Sequence, residues 1–219
     1  MKTKIRRCTI IFSFIGLVSL VSCNSDINYS ITEKQLDKPA NCSCQINYRY
    51  PEIKSRNKAD SKLIALNNAL KSVGEFETFI DRCNPKSPQF MKAFKKYDCD
   101  YNITLQTDSM LSIEIQNTAY YNDDFKYTRF NSFLLNTKNW TQIPLENLFN
   151  GLDRGKIYPF IVDYNKRTGK NINLLAYQSK SNYALTYGMT RDSLVIYVGG
   201  EGEWFGNDKV FIPIKKLLK

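Results

Sequence analysis

Histidine is missing altogether from the 219 residues. That one absence excludes histidine general bases, Ser/His/Asp and Cys/His nucleophilic arrangements, and histidine metal sites. Acid–base work by paired carboxylates is the catalytic chemistry left open. There is no internal repeat and no low-complexity tract, so solenoids and disordered linkers are excluded as the main architecture. One apolar run stands out, from Ile10 to Val21, broken only by Ser13, Gly16 and Ser19. No second spanning segment follows it in the sequence.

That run reads as targeting. Lys2, Lys4, Arg6 and Arg7 precede it, and Leu20-Val21-Ser22-Cys23 closes it. A charged start, an apolar stretch short for a bilayer and small residues before a cysteine make a signal peptide over residues 1–22. The tetrad resembles the lipobox of bacterial lipoproteins, which implies cleavage before Cys23 and lipidation of that residue. The expected location is the bacterial cell envelope, with the domain outside the cytoplasm and the membrane reached through a lipid anchor. The remaining 197 residues carry 27 basic against 21 acidic side chains, a net of +6. This mild excess is scattered, so no nucleic-acid partner is expected.

Four cysteines remain beyond the anchor: Cys42, Cys44, Cys83 and Cys99. An even number in an exported chain points to disulfides. Cys42 and Cys44 are too close to bridge each other without strain and are expected to reach toward Cys83 and Cys99, with Cys83 to Cys99 as the alternative pairing. A four-thiolate zinc site lacks the paired knuckle spacing, so neither metal nor cofactor is expected.

Along the chain, residues 23–41 are polar and aperiodic and read as a flexible tether to a domain spanning 42–219. Ile46, Tyr48 and Tyr50 alternate with polar residues in a first strand that Pro51 should stop. Asp60 or Ser61 caps a long helix through Leu63, Leu66, Leu70, Val73, Phe76 and Ile80, ended by Asn84-Pro85. Ser87-Pro88 predicts a short second helix through Phe90, Met91, Phe94 and Tyr97. From Asp100 the period becomes two: three adjacent antiparallel strands turn at Thr107-Asp108-Ser109 and Asn122-Asp123-Asp124, with one face buried and one wet. A short strand over 140–145, a helical turn over 145–149, a helix through Ile157, Phe160, Ile161 and Tyr164 ending near Gly169, a hairpin around 190–193 and a last strand at 210–214 complete the chain. The expectation is an α+β fold, an antiparallel sheet packed against a long N-terminal helix and one or two shorter helices, in an N-terminal lobe (42–110) and a C-terminal lobe (111–219).

Two places carry candidate ligand-binding residues. The glycine-rich stretch 199–206 holds Glu201, Glu203, Trp204 and Phe205, where glycine permits close approach and aromatic side chains can anchor a partner. It leads into a strand and not a helix, so it is no phosphate cradle. Tyr120 and Tyr121 beside Asp123 and Asp124 form the second, a combination suited to sugar chains. These four carboxylates also define the competing hydrolase reading, which requires a pair separated by roughly 5–9.5 Å. Asp108-Ser109 and Asp192-Ser193 look like glycosylation sites of exported Bacteroidetes proteins.

Segments 111–149 and 182–218 together resemble the extracytoplasmic domain of unknown function shared by RsiV-type anti-sigma factors and PdaC-type peptidoglycan deacetylases. The likeness lies in a Tyr-rich strand, a strand-turn-strand, the turn at Leu145 to Phe149, and a closing hairpin, aromatic loop and Ile212-Pro213. It implies an α+β fold and a non-enzymatic binding role, with peptidoglycan, lysozyme or another envelope protein as ligand. The cysteines lie outside the family pattern, and this chain lacks the sigma-binding and deacetylase parts. An immunity or assembly lipoprotein is the further alternative. Basic lysozymes would be repelled at long range by a +6 chain unless acidic residues are gathered locally.

Overall fold

The computed structural model describes residues 27–56, 60–122, 125–149, 152–170, 172–178, 185–199 and 207–218. The expected signal peptide, 1–22, and Cys23 lie outside them. The architecture is α+β, with two sheets. Six strands form the larger, in the order β1 (Tyr29–Leu36), β2 (Gln45–Ser55), β3 (Phe94–Gln106), β4 (Met110–Tyr121), β5 (Phe125–Asn136) and β6 (Thr141–Gln142). The smaller contains β7 (Tyr187–Met189), β8 (Ser193–Val198) and β9 (Asp208–Pro213). All neighbours pair antiparallel except β2 and β3, which are parallel. A parallel pair needs a crossover. Here it contains α1 (Ser61–Ser72) and α2 (Phe76–Cys83).

These two helices replace the single long helix expected from the apolar spacing. Asp60 caps α1, accepting from Lys62 N at 2.9 Å. The break falls at Gly74 and Glu75, and Glu75 takes a left-handed conformation with φ 54°. Its cause is tertiary. The Tyr48 ring from β2 lies against Gly74, where an added Cβ would sit 2.4 Å from its hydroxyl oxygen. Tyr48 donates to Lys71 O and Tyr97 to Gly74 O, so two buried tyrosines grip the end of α1. Along α1, the Asn67 amide both accepts from Ile53 N and donates to Ile53 O, at 2.9 Å each, beyond the last β2–β3 pair.

Five further expectations are corrected. Residues 29–36, inside the expected tether, form β1, because their backbone completes an eight-pair ladder with β2. Pro51 does not stop the first strand: it lies beyond Tyr48, where the β2–β3 ladder ends, so β2 runs on to Ser55. The helix expected after Ser87-Pro88 is a series of turns. Ser87 Oγ does accept from Gln89 N at 3.1 Å as a cap would, but Phe94 and Tyr97 belong to β3, where Tyr97 and Cys99 share the buried side and Phe94 joins them across a register shift. Trp140 sits in a turn with φ 56° and only Thr141–Gln142 extend as strand. The expected lobe boundary at 110/111 falls within the β3–β4 hairpin of one sheet.

Other elements stand where the pattern put them. The turn at Thr107 to Met110 closes β3 on β4, and β5 follows β4 in full register. Leu145–Asn147 is a single 3₁₀ turn. The third helix, α3 (Arg154–Thr168), is capped by Asp153, which accepts from Lys156 N, and ends on left-handed Gly169. A last turn, α4 (Ile214–Leu217), follows β9.

Two cores result. One lies between the large sheet and α1–α2, built from Tyr48, Leu70, Tyr97, Leu111, Ile113 and Ile115. Phe79 of α2 stacks on Tyr97 with centroids 3.7 Å apart. The other joins the small sheet to α3 through Ile157, Ile161, Leu194, Ile196 and Ile212. No helix among the described residues is long and apolar enough to cross a membrane.

Candidate functional site

In β3, β4 and β5, residues of one parity face the helices and those of the other face away. The registers place the outward set in rows: Lys96, Tyr120 and Lys126; Asp98, Thr118 and Thr128; Asp100, Gln116 and Phe130; Asn102, Glu114 and Ser132. Asn47 of β2 extends the second row beside Asp98. Side-chain contacts confirm the shared face. Lys96 Nζ lies 5.1 Å from the Tyr120 ring centre, and the Thr118 and Thr128 hydroxyls are 3.3 Å apart. Gln116 Nε2 donates to Thr118 Oγ1 at 3.4 Å.

The small sheet covers one end of this face. Ser112 Oγ accepts from Met189 N at 3.0 Å, and Gly188 approaches so closely that an added Cβ would lie 2.7 Å from Ser132 Oγ. Glu114, expected on the wet face, is 6% exposed. It accepts from Tyr197 Oη and from Lys209 Nζ, both at 2.7 Å, and Lys209 Nζ also stands 4.3 Å from the Phe130 ring centre. Burial, and then the neighbouring Glu114 carboxylate, push the Tyr197 phenol well above its ordinary value. Phe130, Val195 and Tyr197 complete the seam between the sheets.

Beyond the seam the face holds charges in near balance. Lys96 and Asp98 pair at 2.6 Å, and Arg49 of β2 pairs with Asp100 and, at 3.8 Å, with Glu33. The hydrogen bond that Lys96 donates to Asp98 holds its half-buried ammonium above its usual range. Asp98 Oδ1 and Arg49 Nε have no hydrogen-bond partner among the described residues. The result is a shelf of carboxylates, amides and hydroxyls with one phenol ring at its end.

The two sequence-predicted sites fare differently. Tyr120 belongs to the shelf. Tyr121 points the other way, packing on Phe94 with centroids 5.4 Å apart and accepting from Arg82 at 3.3 Å, so the pair is not a stacked platform. Adjacent strand residues face opposite sides, so only Tyr120 is available to a ligand on the shelf. Asp123, Asp124, Glu201, Glu203, Trp204 and Phe205 lie outside the described residues. Of the glycine-rich segment, only the stem is described. Tyr177 Oη donates to Tyr197 O at 3.3 Å and accepts from Gly199 N at 3.2 Å, and Asn207 N donates to Val198 O. Asp208 accepts from Tyr164 Oη at 2.7 Å and from Lys170. Burial opposes ionisation of Asp208, yet the Lys170 and Tyr164 hydrogen bonds outweigh it and hold the carboxyl below its ordinary value.

The cysteines divide unevenly. Cys44 and Cys83 are bridged, their Cα atoms 5.4 Å apart, as one of the expected pairings has it, whereas Cys42 and Cys99 are free and buried. Cys99 contacts Arg49 O at 3.7 Å in β3, and burial pushes its thiol up to about 12.

Lys96, Asp98, Asp100, Gln116, Thr118 and Thr128 were not singled out from sequence: the alternation put Gln116 and Thr118 on the polar side of their strand, whereas Lys96 fell within the expected second helix. The available signal was that three successive strands carry polar residues at facing positions.

No family model and no curated protein matches the chain. Among solved structures it is similar to a DUF3298 family protein from Bacteroides fragilis, with a TM-score of 0.54 at 12% identity over 86% of this chain and 92% of that one. The fold is shared with that protein. A DUF3298 family protein from Pseudomonas aeruginosa PAO1 is also similar, with a TM-score of 0.49 at 9% identity, covering 87% and 92%. At these identities the likeness concerns architecture alone, in keeping with a domain of this uncharacterised type.

Proposed function

We propose that this chain is a non-enzymatic binding module of the bacterial cell envelope, lipid-anchored through Cys23, whose ligand is the glycan of peptidoglycan. The observation that carries the reading is the charge-balanced shelf of β3 to β5 beyond the small sheet. Neutral sugars offer alternating hydroxyl donors and acceptors, and the shelf presents both, with Tyr120 for an apolar sugar face. A basic protein such as lysozyme would call for surplus acid there, and the pairing of Asp98 with Lys96 and Asp100 with Arg49 removes it. Glu114, the most buried acid of the face, is engaged by Lys209 and Tyr197, an arrangement suited to joining two sheets and not to proton transfer. The likeness to the RsiV and PdaC domain, where peptidoglycan chemistry also recurs, supports the same ligand class, and the Leu20 to Cys23 tetrad supports the anchor.

The test is co-sedimentation of the full-length chain with insoluble peptidoglycan, alongside a pull-down on immobilised lysozyme. The wild type should sediment with the polymer, and Tyr120→Ala with Gln116→Ala should bind at least tenfold more weakly, a loss of about 1.4 kcal/mol. Retention on lysozyme with no sedimentation would overturn the glycan reading.

A further inference from the structure

Cys42 is a free thiol in unusual company. Its sulfur and those of Cys44 and Cys83 all lie within 4.8 Å of one another, and all three residues are buried. The backbone holds this cluster in place. Cys42 N donates to Pro39 O at 3.0 Å, turning the chain, and Ser43 donates to Cys83 O through both N, at 3.0 Å, and Oγ, at 2.8 Å. The segment 42–44 is thereby fastened across the C-terminal end of α2, where Cys83 is the last helical residue. Lys38 Nζ donates to Cys44 O at 3.2 Å, the same oxygen that Cys42 Sγ approaches at 3.9 Å. The Lys38 ammonium and the Cys42 thiol thus converge on one carbonyl oxygen beside the bridge.

We propose that Cys42, Cys44 and Cys83 form a thiol–disulfide exchange site in which the bridge moves between Cys44–Cys83 and Cys42–Cys83. The Cys42 thiol gives its proton to solvent, and the thiolate attacks Cys83 Sγ. The Cys42–Cys83 bond forms, the Cys44–Cys83 bond breaks, and Cys44 leaves as a thiolate that takes up a proton. No electrons are gained or lost, so no outside oxidant is required. Attack on Cys44 instead would tie residues two apart in the chain, which bridge geometry disfavours. The two forms differ in what they fasten. With Cys44 bridged, the residue next to the first of β2 is tied to α2; with Cys42 bridged, the β1–β2 connection is tied and the start of β2 is released. Cys99 takes no part, buried in β3 against Arg49 O.

The experiment uses the full-length chain and a Cys44→Ser variant. The native wild type is held at pH 8.5 without reductant, quenched in acid, unfolded, and its thiols are capped with a maleimide before non-reducing peptide mapping by mass. Both bridged peptides, Cys44–Cys83 and Cys42–Cys83, should be recovered, with capped thiol on Cys42 and on Cys44, and Cys99 capped throughout. Cys44→Ser, oxidised with glutathione disulfide, should close Cys42–Cys83 with the yield of the wild-type bridge. Capped thiol on Cys42 alone in the wild type, together with Cys42 and Cys83 both remaining reduced in Cys44→Ser, overturns the proposal.

Discussion

The two faces of β3 to β5 are built from the same three strands yet do opposite work. On the helix side, Leu111, Ile113, Ile115 and Ala119 are almost wholly buried against α1 and α2, and aromatic rings of Tyr48, Phe79, Phe94 and Tyr97 interlock. On the other side, the small sheet rests on Ser112 and Glu114 through hydrogen bonds and one ion pair and packs closely on Ser132, then stops. The apolar face supplies stability without direction. The polar face supplies direction: each contact there fixes where the small sheet sits, and leaves the rows of Asp98, Asp100 and Lys96 open to something else. Burying a charge pair earns little net stability, so its role is positional.

The largest expected effect tests the apolar side. Ile113→Ala should cost about 4 kcal/mol by denaturant unfolding, because it leaves a cavity between sheet and helices. A cost near that of a surface change would erase the difference between the faces. Next comes Lys209→Ala, which strands the Glu114 carboxylate in the seam and should cost about 3 kcal/mol. Restoring most of that loss in the double variant Glu114→Gln, Lys209→Ala would show that the stranded charge is the cause. Gly74→Ala should cost about 2 kcal/mol, since its Cβ meets the Tyr48 ring, and Ala at Ser72 on the exposed end of α1 is the control.

Acid and base should separate the two regions further. The Asp208 carboxyl is held below its ordinary value in the folded chain, so its contribution is present above the unfolded pKa and lost as pH falls through the lower folded one. Asp208→Asn should therefore flatten the acid limb of a stability profile. Cys99 behaves oppositely: its thiol is raised from 9.0 to about 12, so its share is intact below 9 and lost as pH climbs from 9 toward 12. Cys99→Ala should soften that alkaline limb. The smallest effect on stability belongs to the shelf, where Tyr120→Ala and Gln116→Ala should each cost under about 1 kcal/mol.

What the sequence disclosed follows from how local each cause is. The β4–β5 pairing and the end of α3 at Gly169 rest on alternation and on a left-handed cap, both visible in a few residues. The break between α1 and α2 was not legible, because the apolar spacing runs unbroken from Leu63 to Ile80. Gly74 is glycine on account of a tyrosine 26 residues earlier. Ser87 shows the same lesson: its cap contact forms, yet β3 claims the residues a helix would need. At the shelf, Gln116 and Thr118 were legible as the polar side of a strand, but Lys96 was hidden in the expected second helix, and which residues share a row depends on register between strands. Tyr120 and Tyr121 were legible as chemistry, but neighbours on a strand part company and only Tyr120 reaches the shelf.

The most direct test of the shelf is backbone amide exchange on the full-length chain with and without soluble peptidoglycan glycan strands. Slowed exchange should appear in β3 over 96–102 and in β4 over 114–120, with β7 to β9 unchanged. Protection confined to the small sheet, or no protection in β3 and β4 under conditions where the strands bind, would contradict the account.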